Sequence, residues 1–239
     1  MLRVRMDIHW SGQPDARWHT VDIAVAAMDD DSSLPDRLAV IEGFRALLAA
    51  DKTVMNMEGD RPVTVSRVAR VASSPPKACR FLHTLAAQHY PSTVVEMGTA
   101  VGISAAYIAA GVQPDARMWT VDLRELSALY AGRLFEMVGI GNVETVTGRF
   151  QDVLENVLAA AEPVDLLFVD GHHQQRATIG YTDQACTRCV RRHRLVRRDA
   201  TGLAGDQPAA TLDFHRRYWS LGRVCRLGRN PVGNSLTIA

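Results

Sequence analysis

Lysine is almost missing from this chain. Lys52 and Lys77 are the two lysines among 27 basic residues. Nearly all positive charge is therefore arginine, which we read as the mark of a GC-rich gene and not of a function. Long apolar runs are missing too. None approaches the ~20 residues that a bilayer requires, so no membrane-spanning segment is expected. The first residues, MLRVRMDIHWSGQPDARWHT, have no apolar centre and no small-residue cleavage site, so no secretory signal is expected there. Cysteine is sparse: four, irregularly spaced. That is no disulfide framework, and it fits a reducing, cytoplasmic setting. Net charge is nearly absent, at +1, so the chain as a whole is not built to hold a polyanion. Absent as well is the G-x-G-x-x-G spacing with which a strand–helix turn grips a pyrophosphate.

What is present centres on residues 93–110, TVVEMGTAVGISAAYIAA. Val94 to Met97 is a short apolar run suited to a buried strand. Gly98-Thr99-Ala100-Val101-Gly102 breaks it, and Ile103 to Ala110 is alanine-rich and apolar at helical spacing. The unit reads as strand, tight glycine loop, helix. Gly98 can adopt positive φ, and Gly102 is expected to let backbone pass close to whatever the loop holds. The start of the helix offers free N–H groups to an anionic ligand group.

The same alternation runs on. Arg117 to Asp122 predicts a second strand ending in an acid, Glu125 to Val138 a helix, and Val143 to Thr147 a third strand closed by Gly148. Gln151 to Ala161 predicts a helix, and Val164 to Asp170 a fourth strand that again ends in an acid. Strands alternating with helices at this spacing predict an α/β fold, a Rossmann-like, doubly wound, mostly parallel sheet covered on both faces. Ligands of such sheets sit beyond the carboxyl ends of the strands. Three of those ends carry chemistry here: Glu96 to Gly102, Asp122, and Asp170 to His173.

Upstream, residues 1–33 alternate weakly and suggest an edge hairpin. Ser33, Pro35 and Asp36 predict a helix start with Ser33 as N-cap. Leu38, Ile41, Phe44, Leu47 and Leu48 give residues 34–50 one apolar face. Ser73-Ser74-Pro75-Pro76 starts another helix, Lys77 to His89, which Pro91 ends. The expected organisation is an N-terminal helical extension or cap over 1–60 and a main domain over 61–239. His83 and His89 read as packing or surface residues.

These stretches together resemble the O-methyltransferase-like branch of the class I S-adenosylmethionine (SAM) dependent methyltransferases, over roughly residues 60–185. The matching motifs are SSPPKACRF, VVEMGTAVGISAAYIAAG, WTVDL, NVETVTGRFQDVL and DLLFVDGHH. The resemblance implies SAM as cofactor and a small-molecule methyl acceptor. It places Glu96 near the methionine end of the donor and Gly98, Thr99 and Gly102 in the donor loop, with Ser104 capping or donating into it. Asp122 would accept the ribose hydroxyls, since one carboxylate can take two donors; its plain alternative is a cap on the next helix. Gly148, Arg149 and Phe150 lie where the family holds adenine, and Phe150 serves equally well as core. Asp170, His172 and His173 face the acceptor, as an oriented histidine base or, through Asp170, as the ligand of a divalent cation. We favour the route without a metal.

The tail departs from the family. An apolar fifth strand and an acidic pair are expected after Thr187. Instead, Thr187 to Asn230 holds eleven arginines against three aspartates. Residues 187–217 are a diverged loop, an insertion or a stretch read out of frame, and Arg223 to Ala239 could form a closing hairpin. An arginine-rich tail also suggests a nucleic-acid-binding protein or an RNA methyltransferase as the second reading. Cys186, Cys189 and His193, with Cys225 or His215, have the spacing of a zinc site but form a weak set. Helix 34–50 is expected to cover the acceptor pocket or to form a homodimer contact.

Overall fold

The computed structural model describes residues 8–10, 18–30, 34–55, 62–170 and 236–238. In chain order the elements are β1 (Ile8–Trp10), α1 (Trp18–Ala26), a 3-10 turn (Ala27–Asp29), α2 (Asp36–Leu48), β2 (Val54–Met55), β3 (Val63–Thr64), α3 (Val65–Val71) and α4 (Pro76–His89). They continue with β4 (Thr93–Met97), α5 (Ile103–Gly111), β5 (Arg117–Asp122), α6 (Glu125–Val138), β6 (Val143–Thr147), α7 (Phe150–Ala160), β7 (Leu166–Val169) and β8 (Leu236–Ile238).

The main sheet has the order β1-β8-β7-β4-β5-β6. β6, β5, β4, β7 and β8 run parallel, and β1 closes the edge antiparallel to β8. The α/β, mostly parallel architecture is as expected. Period-two alternation in the central strands sends their side chains to two separate cores. Val94, Met118, Leu166 and Phe168 face α4, α5 and α6, while Val95, Met97, Trp119, Val121, Leu167 and Val169 face α7. Glu96, Thr120 and Asp122 have the parity of the first face, and Asp170, one step beyond β7, continues it.

Two expectations need correction. Among the described residues, the N-terminal stretch forms no hairpin of its own: β1 pairs with β8. Residues 18–26 are helix, because Val21 and Ala24, one turn apart, bury together in the first core. α2 starts later than predicted: its first helical bond runs from Ala39 N to Pro35 O at 3.0 Å, so Pro35, not Ser33, occupies the cap position. Leu38, Ile41, Phe44 and Leu48 of α2 pack in the same cluster as α4–α6. The place beside β7 is filled by β8, which lies within the suggested closing segment Arg223 to Ala239. Of the suggested hairpin over 223–239, only Leu236–Ile238 is among the described residues.

α4 follows the sequence closely. Pro76 opens it, and Phe81, Leu82 and Leu85 are buried. It stops at Tyr90, whose left-handed backbone precedes Pro91. No described helix is long and apolar enough to cross a membrane.

Candidate functional site

The loop after β4 is bent by three residues at positive φ: Gly98 at 114°, Ala100 at 50° and Gly102 at 85°. For Ala100 this conformation costs roughly 1–2 kcal/mol, because its β-carbon crowds the carbonyl that follows. The loop is fastened to β5 in compensation. Gly98 N and Thr99 N donate to Val121 O at 2.9 and 3.2 Å, and Ala100 N donates to Asp122 Oδ2 at 2.9 Å. The side of Gly102 where a β-carbon would stand is closed by α6. A β-carbon there would lie 2.7 Å from both Cα and Cβ of Ala131, so its bareness lets α5 start against α6.

Glu96 is fully buried. Ser104 Oγ donates to its Oε1 at 2.6 Å, and Thr120 Oγ1 donates to its Oε2. Ser104 therefore holds Glu96 and does not cap α5, which has no side-chain cap. Thr99, also buried, lies with its Oγ1 at 2.7 Å from Thr120 Oγ1. Burial pushes the Glu96 carboxyl up to about 7. The Ser104 and Thr120 hydrogen bonds pull it down, and the charges of Asp170 and Asp122 push it up.

Asp122 closes β5 on the same face. Its Oδ1 accepts from Arg124 N at 3.0 Å, its Oδ2 takes the loop N–H of Ala100, and its backbone carbonyl accepts from Gly148 N at 2.9 Å. The cap position of α6 belongs to Arg124 and not to Asp122. Each carboxylate oxygen keeps a second lone pair, so two hydroxyl donors can still be received. Arg149 is exposed at the cap position of α7, and Phe150 is half-buried against the second core.

Asp170 N donates to Met97 O at 2.9 Å, which sets Asp170 directly beside the start of the loop. Its Oδ2 accepts from Ser74 Oγ at 2.8 Å. Ser74 is held in turn from α2: Arg45 Nη1 donates to Ser74 O at 2.8 Å, and Arg45 pairs with Glu42 at 2.8 Å. Tyr107 OH donates to the same Glu42 at 2.8 Å. Sequence reasoning took Ser74 only as part of a helix start and passed over Thr120. Thr120 had a signal: it lies two residues before Asp122 and shares its face. Ser74 had none beyond its position before a proline pair.

The structure thus brings Glu96, Gly98, Thr99, Gly102, Ser104, Asp122 and Asp170 together at adjacent strand ends. His172 and His173 lie outside the described residues, as do Cys186, Cys189, His193, His215, Cys225 and the arginine-rich segment 187–217. His83 behaves as a packing residue. Its Nδ1 lies 3.1 Å from Tyr107 O, and burial lowers its basicity. Cys79 is buried, which pushes its thiol up to about 12 and leaves it unreactive. Among the described residues, no cluster of three or more His, Cys, Asp or Glu side chains is arranged to hold a metal ion.

Buried side-chain atoms lacking a hydrogen-bond partner include Ser73 Oγ, beside the residue that holds Asp170, and Arg124 Nε and Ser127 Oγ, just after Asp122.

Residues 95–195 match a family described as "Methyltransferase domain". The chain is 28% identical over 138 residues to a protein of Mycobacterium ulcerans (strain Agy99) named as a candidate O-methyltransferase, covering 57% of this chain and 59% of that one. A protein of Mycobacterium sp. (strain KMS) with the same name is 34% identical over 97 residues, covering 40% and 43%. The chain thus spans less than two thirds of the length of these relatives. Among solved structures, the fold is shared with an O-methyltransferase from Bacillus cereus in complex with S-adenosylhomocysteine (SAH), at TM-score 0.51 and 20% identity over 72% of this chain and 69% of that one. It is also shared with an O-methyltransferase from Streptomyces achromogenes involved in tomaymycin synthesis, in complex with SAM, at TM-score 0.50 and 17% identity over 79% and 81%.

Proposed function

We propose that the chain is a class I, O-methyltransferase-like methyltransferase that transfers a methyl group from SAM to a hydroxyl of a small molecule, a reading supported by the match of residues 95–195 to the methyltransferase domain family. The observation that carries this reading is the row of strand ends on one sheet face: Asp122 after β5, the strained loop 98–102 after β4, and Asp170 after β7. The Bacillus cereus and Streptomyces achromogenes structures hold SAH and SAM, which supports the same ligand here.

Asp122 would accept the ribose hydroxyls with the lone pairs its backbone partners leave free. The loop would present backbone N–H groups and the first turn of α5 to the methionine carboxylate. Glu96 has both oxygens occupied inside the protein, so it would act on the loop from beneath. Gly148, Arg149 and Phe150 would border the adenine. When bound, the donor supplies a sulfonium methyl group, which an acceptor oxygen takes in-line as the carbon–sulfur bond breaks. On the acceptor side, His172 or His173 would remove the hydroxyl proton, with Asp170, steadied by Ser74, orienting the base or the substrate. A hard cation needs more oxygen ligands than one carboxylate offers, and the segment after Thr187 shows no acidic pair in sequence, so the metal-independent route stays our choice. α2 reaches the site through Arg45, which supports a role for it at the acceptor side. Its exposed Val40 and Leu47 support a homodimer contact. The sparse cysteines support a cytoplasmic location.

The test is calorimetric titration of the full chain with SAM and with SAH. Saturable heat with either supports the reading, and no heat at roughly millimolar ligand (about −4 kcal/mol of binding free energy) overturns it.

A further inference from the structure

We propose that Thr120 is a positioning residue for the donor loop, its hydroxyl fastening Thr99 of that loop to the carboxyl group of Glu96. The proposal rests on the reading that residues 98–102 hold the donor.

Four buried side chains from four different pieces of the fold meet here. Thr99 comes from the loop, Thr120 from the middle of β5, Glu96 from β4 and Ser104 from the first turn of α5. The register sets Thr120 directly opposite Glu96 across the β4–β5 pair. A β-branched threonine is at home in a strand, but a hydroxyl in an apolar core destabilises the fold unless it is paired. Thr120 is paired twice, to Thr99 at 2.7 Å and to Glu96.

A hydroxyl has one proton to give. Thr120 gives it to Glu96 Oε2, so Thr99 must give its own to Thr120. Ser104 gives its proton to the other carboxylate oxygen. The order Thr99 to Thr120 to Glu96, with Ser104 from the far side, is complete only when Glu96 accepts on both oxygens. A proton on Glu96 must be donated to Ser104 or Thr120, and one branch of the order then reverses. If the Thr120 branch reverses, Thr120 stays bonded to Thr99 but one hydroxyl proton of the pair is left without an acceptor, which weakens the side-chain anchor of the loop. The proton state of a buried acid is thereby connected to the shape of the loop.

Among the described residues, the charged and titratable groups facing Glu96 are Asp122 at the end of β5, Asp170 after β7 and Cys79 of α4. Arg45 Nη2 lies beside Cys79 at 3.4 Å. The balance of burial against hydroxyl donors leaves the acid titrating close to neutrality.

The experiment is calorimetric titration of the full-length protein with SAH from about pH 6 to about pH 8.5, on either side of the Glu96 transition. Wild type, Thr120→Val, Thr120→Ser and Thr99→Val are compared. Wild-type affinity should fall several-fold as the pH drops through about 7. Thr120→Val keeps the shape and removes the hydroxyl; it should bind roughly tenfold more weakly at high pH, the effect of losing about one buried hydrogen bond. It should also lose the pH dependence. Thr120→Ser should restore both. If Thr120→Val fails to melt cooperatively, Thr99→Val decides, since it cuts only the loop end of the chain and should show the same weakening and flattening. Wild-type affinity and pH profile in the deciding variant overturn the proposal while leaving the methyltransferase reading intact. No binding by the wild type overturns that reading, and this proposal with it.

Discussion

Gly102 is pressed against Ala131: a β-carbon on Gly102 would stand 2.7 Å from the Cα and Cβ of Ala131. The contact joins the start of α5 to α6, and so fixes where the donor loop ends. Gly102→Ala combines two penalties. A left-handed backbone at φ 85° disfavours an L side chain by roughly 1 kcal/mol, and overpacking against backbone adds about 1–3 kcal/mol. A loss of roughly 2–4 kcal/mol is expected in urea melts. An unchanged midpoint would contradict the contact.

Gly43 and Gly132 form the contrast. Both lie inside helices, and a β-carbon on either meets nothing within 4 Å. Glycine in a helix interior is less stable than alanine by about 0.5–1 kcal/mol, because the unfolded chain loses more freedom. Gly43→Ala and Gly132→Ala should each stabilise by that amount, and the double variant by their sum, in the same melts.

Much of this arrangement was legible in the sequence. The change from period two to period 3.6 on either side of Gly98–Gly102 defines β4, the loop and α5. Acids after the apolar runs mark the ends of β5 and β7. What was not legible depends on contacts between distant residues. Ser74 and Asp170 are 96 positions apart, and nothing local to either announces the other. The contact of Gly102 with Ala131 was not legible either, because a positive φ is demanded by the loop whatever its neighbour is. Val21-Asp22-Ile23 alternates as a strand would, yet Val21 and Ala24 also satisfy a helix, and packing beside α4 selects the helix.

Glu96 makes stability depend on pH in a direction opposite to most paired carboxylates. Its folded value, about 7, lies above the ordinary 4.5. Between those values the folded state keeps a proton that the unfolded state has released. Stability therefore falls as pH rises through this window, by about 3 kcal/mol in all. Glu96→Gln has no such proton to lose. Its melting temperature relative to wild type should rise from about pH 5 to about pH 8, at roughly 2–4 °C per kcal/mol for a chain of this size. A constant offset between the two proteins across that range would show that Glu96 is not the titrating group.

Asp122 is asked to hold two ribose hydroxyls while already receiving Ala100 N and Arg124 N. Asp122→Asn keeps the shape but replaces one oxygen by a donor that repels a facing N–H. Losing a charge-assisted hydrogen bond costs about 1.5–3 kcal/mol, so SAH affinity should drop roughly tenfold to a hundredfold. Affinity within twofold of wild type would move the ribose away from Asp122.

The acceptor chemistry turns on Asp170. Its Oδ2 is fixed by Ser74, whose loop Arg45 secures from α2. If Asp170 orients a histidine base, its geometry matters to turnover and hardly at all to donor affinity. Ser74→Ala should then leave SAH titrations unchanged and lower the rate of donor consumption in an acceptor screen. His172→Ala or His173→Ala should lower that rate by ~10²-fold or more, the usual loss when a general base is removed. If Asp170 instead binds a divalent ion, EDTA should stop consumption and added magnesium should restore it. We expect EDTA to have no effect. Activity that disappears with the chelator and returns with magnesium would assign Asp170 to the metal and remove the base from the mechanism.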